Sequence, residues 1–231
     1  MDKEQYYTDL FIDFDDTLCD THGNAVLALR EVFADFGLER YFCSPDLFYD
    51  AYWEANINLW QQYGKGAITR EYLIVERFRR PLSCGKGLHV TPEFCLEMSD
   101  RFLDHCAEKP GVVEGAHELV DYLRSRSYRL HLTSNGFHEV QFRKIHSCGF
   151  DGCFDTVVLS EDAGGNKPAR GFFDYAFRVT QATPSCTLMI EMGEQVYFSA
   201  GSEKNIKLTT VEDLDIFRAL LVARRSAWLK E

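Results

Sequence analysis

The later part of the chain alternates, and that rhythm limits its fold more than any other feature. Beyond Pro110-Gly111 an amphipathic stretch at about 115–125 precedes an apolar run at 128–133. A second stretch, about 137–148, precedes the run 156–159, and a third, about 171–180, precedes 187–190. Short apolar runs separated by segments of helical length are satisfied by parallel strands with right-handed crossover helices on both faces. One more such run lies near the start: Leu10, Phe11 and Ile12 predict a buried strand from about Tyr6 to Asp13. The expected fold class is α/β, with a Rossmann-like, doubly wound parallel sheet as its core.

The alternation is interrupted once, because residues from about 20 to 107 read as helices only. A helix from about Asn24 places Val26, Leu29, Val32, Phe33 and Phe36 on one face and stops at Gly37. Ser44-Pro45 supplies an N-cap and a proline at the first helical position, opening a second helix through Trp53 and Trp60. Thr69 begins a third helix that ends before Pro81. Thr91-Pro92-Glu93 begins a fourth that runs to about Ala107. The block reads as an insertion. Residues 19–107 are expected to form a helical cap domain, and 1–18 with 108–231 the α/β core.

Ligand sites in open parallel sheets lie at the carboxyl ends of the strands. Three sets of candidate residues fall there. Asp13-Phe14-Asp15-Asp16-Thr17 closes the first strand. Carboxylates spaced i, i+2 leave a strand end on the same side, where one can act as nucleophile and the other exchange protons. Thr133-Ser134-Asn135-Gly136 closes the next strand, and a hydroxyl with freed backbone N–H groups can cradle a phosphate oxygen. Asn166-Lys167-Pro168 sets an ammonium group just before a helix, a compact charge suited to a phosphoryl group. Each taken singly is also an ordinary turn or surface feature.

The three in this order resemble the haloacid dehalogenase (HAD) superfamily of hydrolases. Its first motif, DxDx[TV], matches Asp13, Asp15 and Thr17; its second, Ser134; its third, Lys167. One branch of that family carries a helical cap between the first two motifs. Trp53, Trp60, the run Gly66-Ala67-Ile68-Thr69-Arg70 and the Asn-Gly-Phe after Ser134 look most like its pyrimidine nucleotidase group. The resemblance implies a phosphatase acting on a small phosphorylated metabolite such as a nucleotide. Asp13 would form an aspartyl-phosphate, and Asp15 would serve as acid and then base. Ser134, Asn135 and Lys167 would bind the phosphoryl oxygens. Mg²⁺ would be held by the Asp13 carboxylate and the Asp15 carbonyl. Asp15 argues against dehalogenation, since halide leaves without a proton.

The family's fourth motif, Gly-Asp followed by a further acid, is missing. After Leu188-Met189-Ile190 the chain reads Glu191-Met192-Gly193-Glu194-Gln195-Val196. A parallel crossover needs at least about 10–12 residues, so the last β-α-β unit reads as truncated, as if a loop and helix were deleted between Ile190 and Met192. Two consequences are expected. Met189, Val196 and Phe198 lose a covering helix and become exposed. The metal site keeps only Glu191, which alternation should point elsewhere, and Glu194 as substitutes. Activity is then expected to be weakened, and the alternative is a disabled relative that binds phosphorylated ligands or a partner without turnover.

Other features carry less. Trp53 and Trp60, seven apart, fit packing inside the cap better than stacking on a base. Arg70, Arg77, Arg79 and Arg80 read as a solvated face. The seven histidines show no HxxxH or HExxH spacing, and Ser134 lacks a G-x-S-x-G elbow. With 36 Asp+Glu against 25 Lys+Arg, the net charge of −11 argues against a nucleic-acid polymer as partner. The eight cysteines form no CxxC pair, so no disulfide scaffold or zinc knuckle is expected. The opening residues show no basic region followed by an apolar one, and no apolar run is long enough to span a bilayer. The expected location is therefore cytoplasmic, with no membrane partner.

Overall fold

The computed structural model describes residues 7–191. Over these the chain divides into two compact units. One takes in the described residues up to Asp20, Val112–Gly136 and the described residues from Phe150 onward. The other takes in Thr21–Gly111 and Phe137–Gly149.

Among the described residues the first unit is built on a four-stranded sheet. Its strands are β1 (Asp9–Ile12), β2 (Arg129–Ser134), β3 (Thr156–Leu159) and β4 (Thr187–Ile190), in the order β3-β2-β1-β4. All neighbours are parallel. Phe11 stands opposite both His131 and Met189, and His131 opposite Thr156. Phe11, Val158 and Met189 are buried together with Phe172, Phe173 and Ala176 of a helix at Arg170–Thr180. The alternate positions Leu10, Ile12, Leu130, Leu132, Leu188 and Ile190 are equally buried. A sheet covered on both faces explains why its strands read as continuous apolar runs rather than as alternating ones.

Met189 therefore does not become exposed as the sequence suggested. Its register with Phe11 places it within the Phe172–Phe173 cluster. Val196, Phe198 and the truncated last β-α-β unit lie outside the described residues.

The second unit is helical. It comprises α1 (Thr21–Asp35), α2 (Pro45–Gly64), α3 (Arg70–Leu82), α4 (Pro92–Glu108) and a later helix at His138–Ser147. Among the described residues the first unit's helices are Ala116–Ser125, the single turn Ser160–Ala163 and Arg170–Thr180. Numbered along the whole chain, these four later helices are α5 (Ala116–Ser125), α6 (His138–Ser147), α7 (Ser160–Ala163) and α8 (Arg170–Thr180).

The start signals read from the sequence form as hydrogen bonds. Ser44 accepts from Asp46 N, Thr69 from Tyr72 N and Thr91 from Phe94 N. Gly37 ends the first helical run with a left-handed φ of 57°, which glycine reaches without a Cβ penalty. Two differences stand out. The α3 helix continues through Pro81 into its last turn. And α6 joins the helical unit, through Phe137 and Val140 packed with Ala55, Leu59 and Leu73.

The arginines of α3 divide. Arg79 and Arg80 pair with Glu76, and Arg70 with Glu139. Arg77 is buried, contrary to the solvated face expected of it. Its guanidinium donates to Ser99 Oγ at 2.5 Å and lies 5.2 Å from the Phe102 ring centre, so aromatic faces and a hydroxyl replace water. All eight cysteines are free thiols. No helix among the described residues is long and apolar enough to cross a membrane.

Candidate active site

The site lies within the first unit, at the carboxyl edge of the sheet. The chain leaves β1 at Asp13, whose N–H donates to Ile190 O at 2.9 Å, so the register with β4 continues one residue past both strands. It then turns tightly. The N–H groups of Leu18 and Cys19 both donate to Phe14 O, at 3.0 and 2.9 Å, and Asp16 N donates to Cys19 O at 2.8 Å. Asp16 adopts φ 55°, a left-handed conformation that aspartate tolerates better than most residues. Phe14 is fully buried and meets Phe150 edge-on at 6.1 Å. This apolar anchor fixes the two flanking aspartates.

Asp13, Asp15, Ser134 and Lys167, distant in sequence, converge. Lys167 Nζ donates to Asp13 Oδ1 at 2.6 Å and to Thr133 O at 3.0 Å. Thr17 Oγ1 donates to Asp13 Oδ2 at 3.1 Å, so both oxygens of that carboxylate are held. Ser134 Oγ donates to Asp15 Oδ2 at 2.9 Å and itself accepts from Gly136 N at 2.9 Å. Asn135 is committed elsewhere. Its Oδ1 accepts from Lys167 N at 2.7 Å and its Nδ2 donates to Lys167 O at 3.1 Å. That pair clamps the Lys167 backbone against the end of β2.

Glu191 joins the cluster, with Oε1 3.9 Å from Lys167 Nζ and its side chain only 12% exposed. The sequence reading pointed it away, by counting from a family motif. The observed register corrects that: Ile12 pairs with Ile190, so Glu191 stands beside Asp13 and shares its side of the sheet. Glu194 lies outside the described residues. Thr133 O, the Asn135 clamp and Glu191 were not legible as partners, because each depends on strand register or on a backbone contact.

Three carboxylates thus surround one ammonium group. Burial pushes the Asp13 carboxyl above its ordinary value; the Lys167 charge opposes this and the Asp15 charge adds to it. Burial pulls the Lys167 ammonium down, but Asp13 and Glu191 outweigh it and hold its pKa above the usual lysine value. The Asp13 direction is set first by its burial, whereas the Lys167 direction expresses the excess of negative charge around it. Hard oxygen donors with surplus negative charge suit a divalent cation such as Mg²⁺. Among the described residues, however, no group of three or more His, Cys, Asp and Glu side chains is placed to hold a metal by itself.

The profile of the haloacid dehalogenase-like hydrolases matches residues 10–191. The chain belongs to this hydrolase family. Among its relatives is the HAD-hydrolase YfnB of Bacillus subtilis, 29% identical over 80% of this chain and 75% of YfnB. Another is the pyrimidine 5'-nucleotidase YjjG of Escherichia coli, 30% identical over 72% of this chain and 68% of YjjG. The solved structure of magnesium-bound YfnB superposes with a TM-score of 0.77 at 23% identity, covering 93% of this hydrolase and 99% of that chain. The α/β fold and the family read from the sequence are therefore both correct.

Proposed function

We propose that this hydrolase is a Mg²⁺-dependent phosphomonoesterase that works through an aspartyl-phosphate on a small phosphorylated metabolite. The observation that carries the reading is the Asp13 carboxylate, gripped by Lys167 Nζ at 2.6 Å, with a second acid two residues on tethered to Ser134. An Asp13 oxygen attacks phosphorus, and the bond to the leaving oxygen breaks. Asp15 delivers a proton to that oxygen, then takes one from the water that cleaves the Asp13–phosphoryl bond. Lys167, the Ser134 hydroxyl and the Asn135 N–H group bind the phosphoryl oxygens as charge develops. Because the Asn135 side chain holds Lys167, its contact with phosphate comes through the backbone.

The Asp13 carboxylate and the Asp15 carbonyl would hold Mg²⁺, which when bound offsets the repulsion between carboxylate and phosphate. With Glu191 drawn toward Lys167, the hold on the cation is expected to be weak and turnover reduced. A nucleoside monophosphate is the substrate class we favour, in keeping with the pyrimidine 5'-nucleotidase among the relatives. Eight free thiols suit a reducing compartment such as the cytoplasm.

The test is hydrolysis of p-nitrophenyl phosphate with Mg²⁺ by the wild-type chain and by Asp13→Asn. Turnover in the first and none in the second is expected. Equal rates overturn the reading. Phosphate binding without Mg²⁺ binding or turnover in either would instead identify a non-catalytic binder.

A further inference from the structure

A lysine ammonium has three N–H donors. Lys167 gives one to Asp13 Oδ1 at 2.6 Å and one to the Thr133 carbonyl at 3.0 Å. The third has no acceptor at hydrogen-bond distance among the described residues. It is the donor left for an incoming phosphoryl oxygen. Its surroundings oppose such an anion. Glu191 Oε1 stands 3.9 Å from the same nitrogen, too far for a hydrogen bond and close enough for an ion pair.

Strand register puts Glu191 there. Ile12 pairs with Ile190, and Asp13 N donates to Ile190 O, so the residue after β4 emerges beside Asp13. The side chains of Lys167, Asp13 and Glu191 are only 8%, 11% and 12% exposed, so water screens their charges little. An oxygen about 2.9 Å from Nζ would lie within about 7 Å of Glu191 Oε1, inside the screening length of physiological salt.

We propose that Glu191 is an autoinhibitory contact: its carboxylate stands beside the Lys167 ammonium and opposes the phosphoryl group that would take the remaining donor. The proposal rests on the phosphomonoesterase reading for the identity of that anion. Phosphate binding itself requires no turnover.

The experiment is calorimetric titration of the full chain with inorganic phosphate, once in EDTA and once in Mg²⁺. In EDTA the wild-type chain should bind phosphate with a Kd above roughly 1 mM. A micromolar Kd there overturns the proposal without any variant. Glu191→Gln should tighten the binding roughly 10- to 100-fold. Glu191→Ala should match it, since the two variants share the loss of charge and differ in shape. Thermal melts identify the folded variants. Unchanged or weaker phosphate binding by them overturns the proposal. So does loss of Mg²⁺ binding in Glu191→Gln together with weaker phosphate binding in Mg²⁺, which would make Glu191 a cation ligand instead. With p-nitrophenyl phosphate, Glu191→Gln should lower KM more than it changes kcat. If phosphate affinity rises in the variants and no form hydrolyses the ester, the phosphomonoesterase reading fails while Glu191 keeps its assigned role. If hydrolysis depends on Asp13 and phosphate affinity does not move, the proposal fails and that reading stands.

Discussion

At the scale of single residues, burial works against the charge of Asp13. Ionised Asp13 is less favourable in the folded chain than in the unfolded one, because its pKa is raised. A raised carboxylate pKa means that stability is lost as pH rises through the folded value. Asp13→Asn should therefore lessen the fall in stability between acidic and neutral pH; differential scanning fluorimetry across pH reads this directly. The same variant should lose roughly 10³-fold or more in turnover. The acidic limb of kcat/KM should lie above the ordinary aspartate value of 3.8, and Asp15→Asn should move it down by removing a neighbouring charge. Asn135→Ala tests the clamp: Lys167 loses its backbone anchor, and kcat/KM should fall by about 10² from misplacement alone.

At the scale of elements, caps and anchors can be tested apart from the chemistry. Ser44→Ala, Thr69→Ala and Thr91→Ala should each cost about 1 kcal/mol in urea unfolding. Phe14→Ala should cost about 3–5 kcal/mol and also slow turnover, since that ring sets the turn between the two aspartates. Asp9 lies at the other end of β1. Burial raises its pKa, but Thr8, His131 and Arg129 outweigh this and leave it lowered. Its stabilisation is present above the unfolded value and is lost as pH falls through the folded one, so Asp9→Asn should flatten the acid arm of the stability curve.

These elements also show what a sequence discloses. Strand β1, the N-caps at 44, 69 and 91, and the convergence of Asp13, Ser134 and Lys167 were all legible, because each follows from local period or from a strand end. The docking of α6 with the helices, the burial of Arg77 and the approach of Glu191 were not. They depend on which faces meet and on which residues pair across strands, and that information is absent from neighbours along the chain.

At the scale of the whole molecule, the proposed Mg²⁺ dependence makes cation binding a folding term. Mg²⁺ that binds only the folded chain stabilises it, by about 2.7 kcal/mol at a hundred times its dissociation constant. The thermal midpoint should rise with Mg²⁺ in wild type and stay flat in Asp13→Asn, and a chelator should abolish turnover together with the shift. The central claim is that phosphoryl transfer passes through Asp13, and capture of the intermediate tests it most directly. In Asp15→Asn the second step lacks its base, so a burst of p-nitrophenolate stoichiometric with enzyme should be followed by slow release. Peptide mass spectrometry of the quenched protein should find one phosphoryl group on Asp13. A phosphoryl group elsewhere, or full turnover with Asp13 unmodified, would contradict the account.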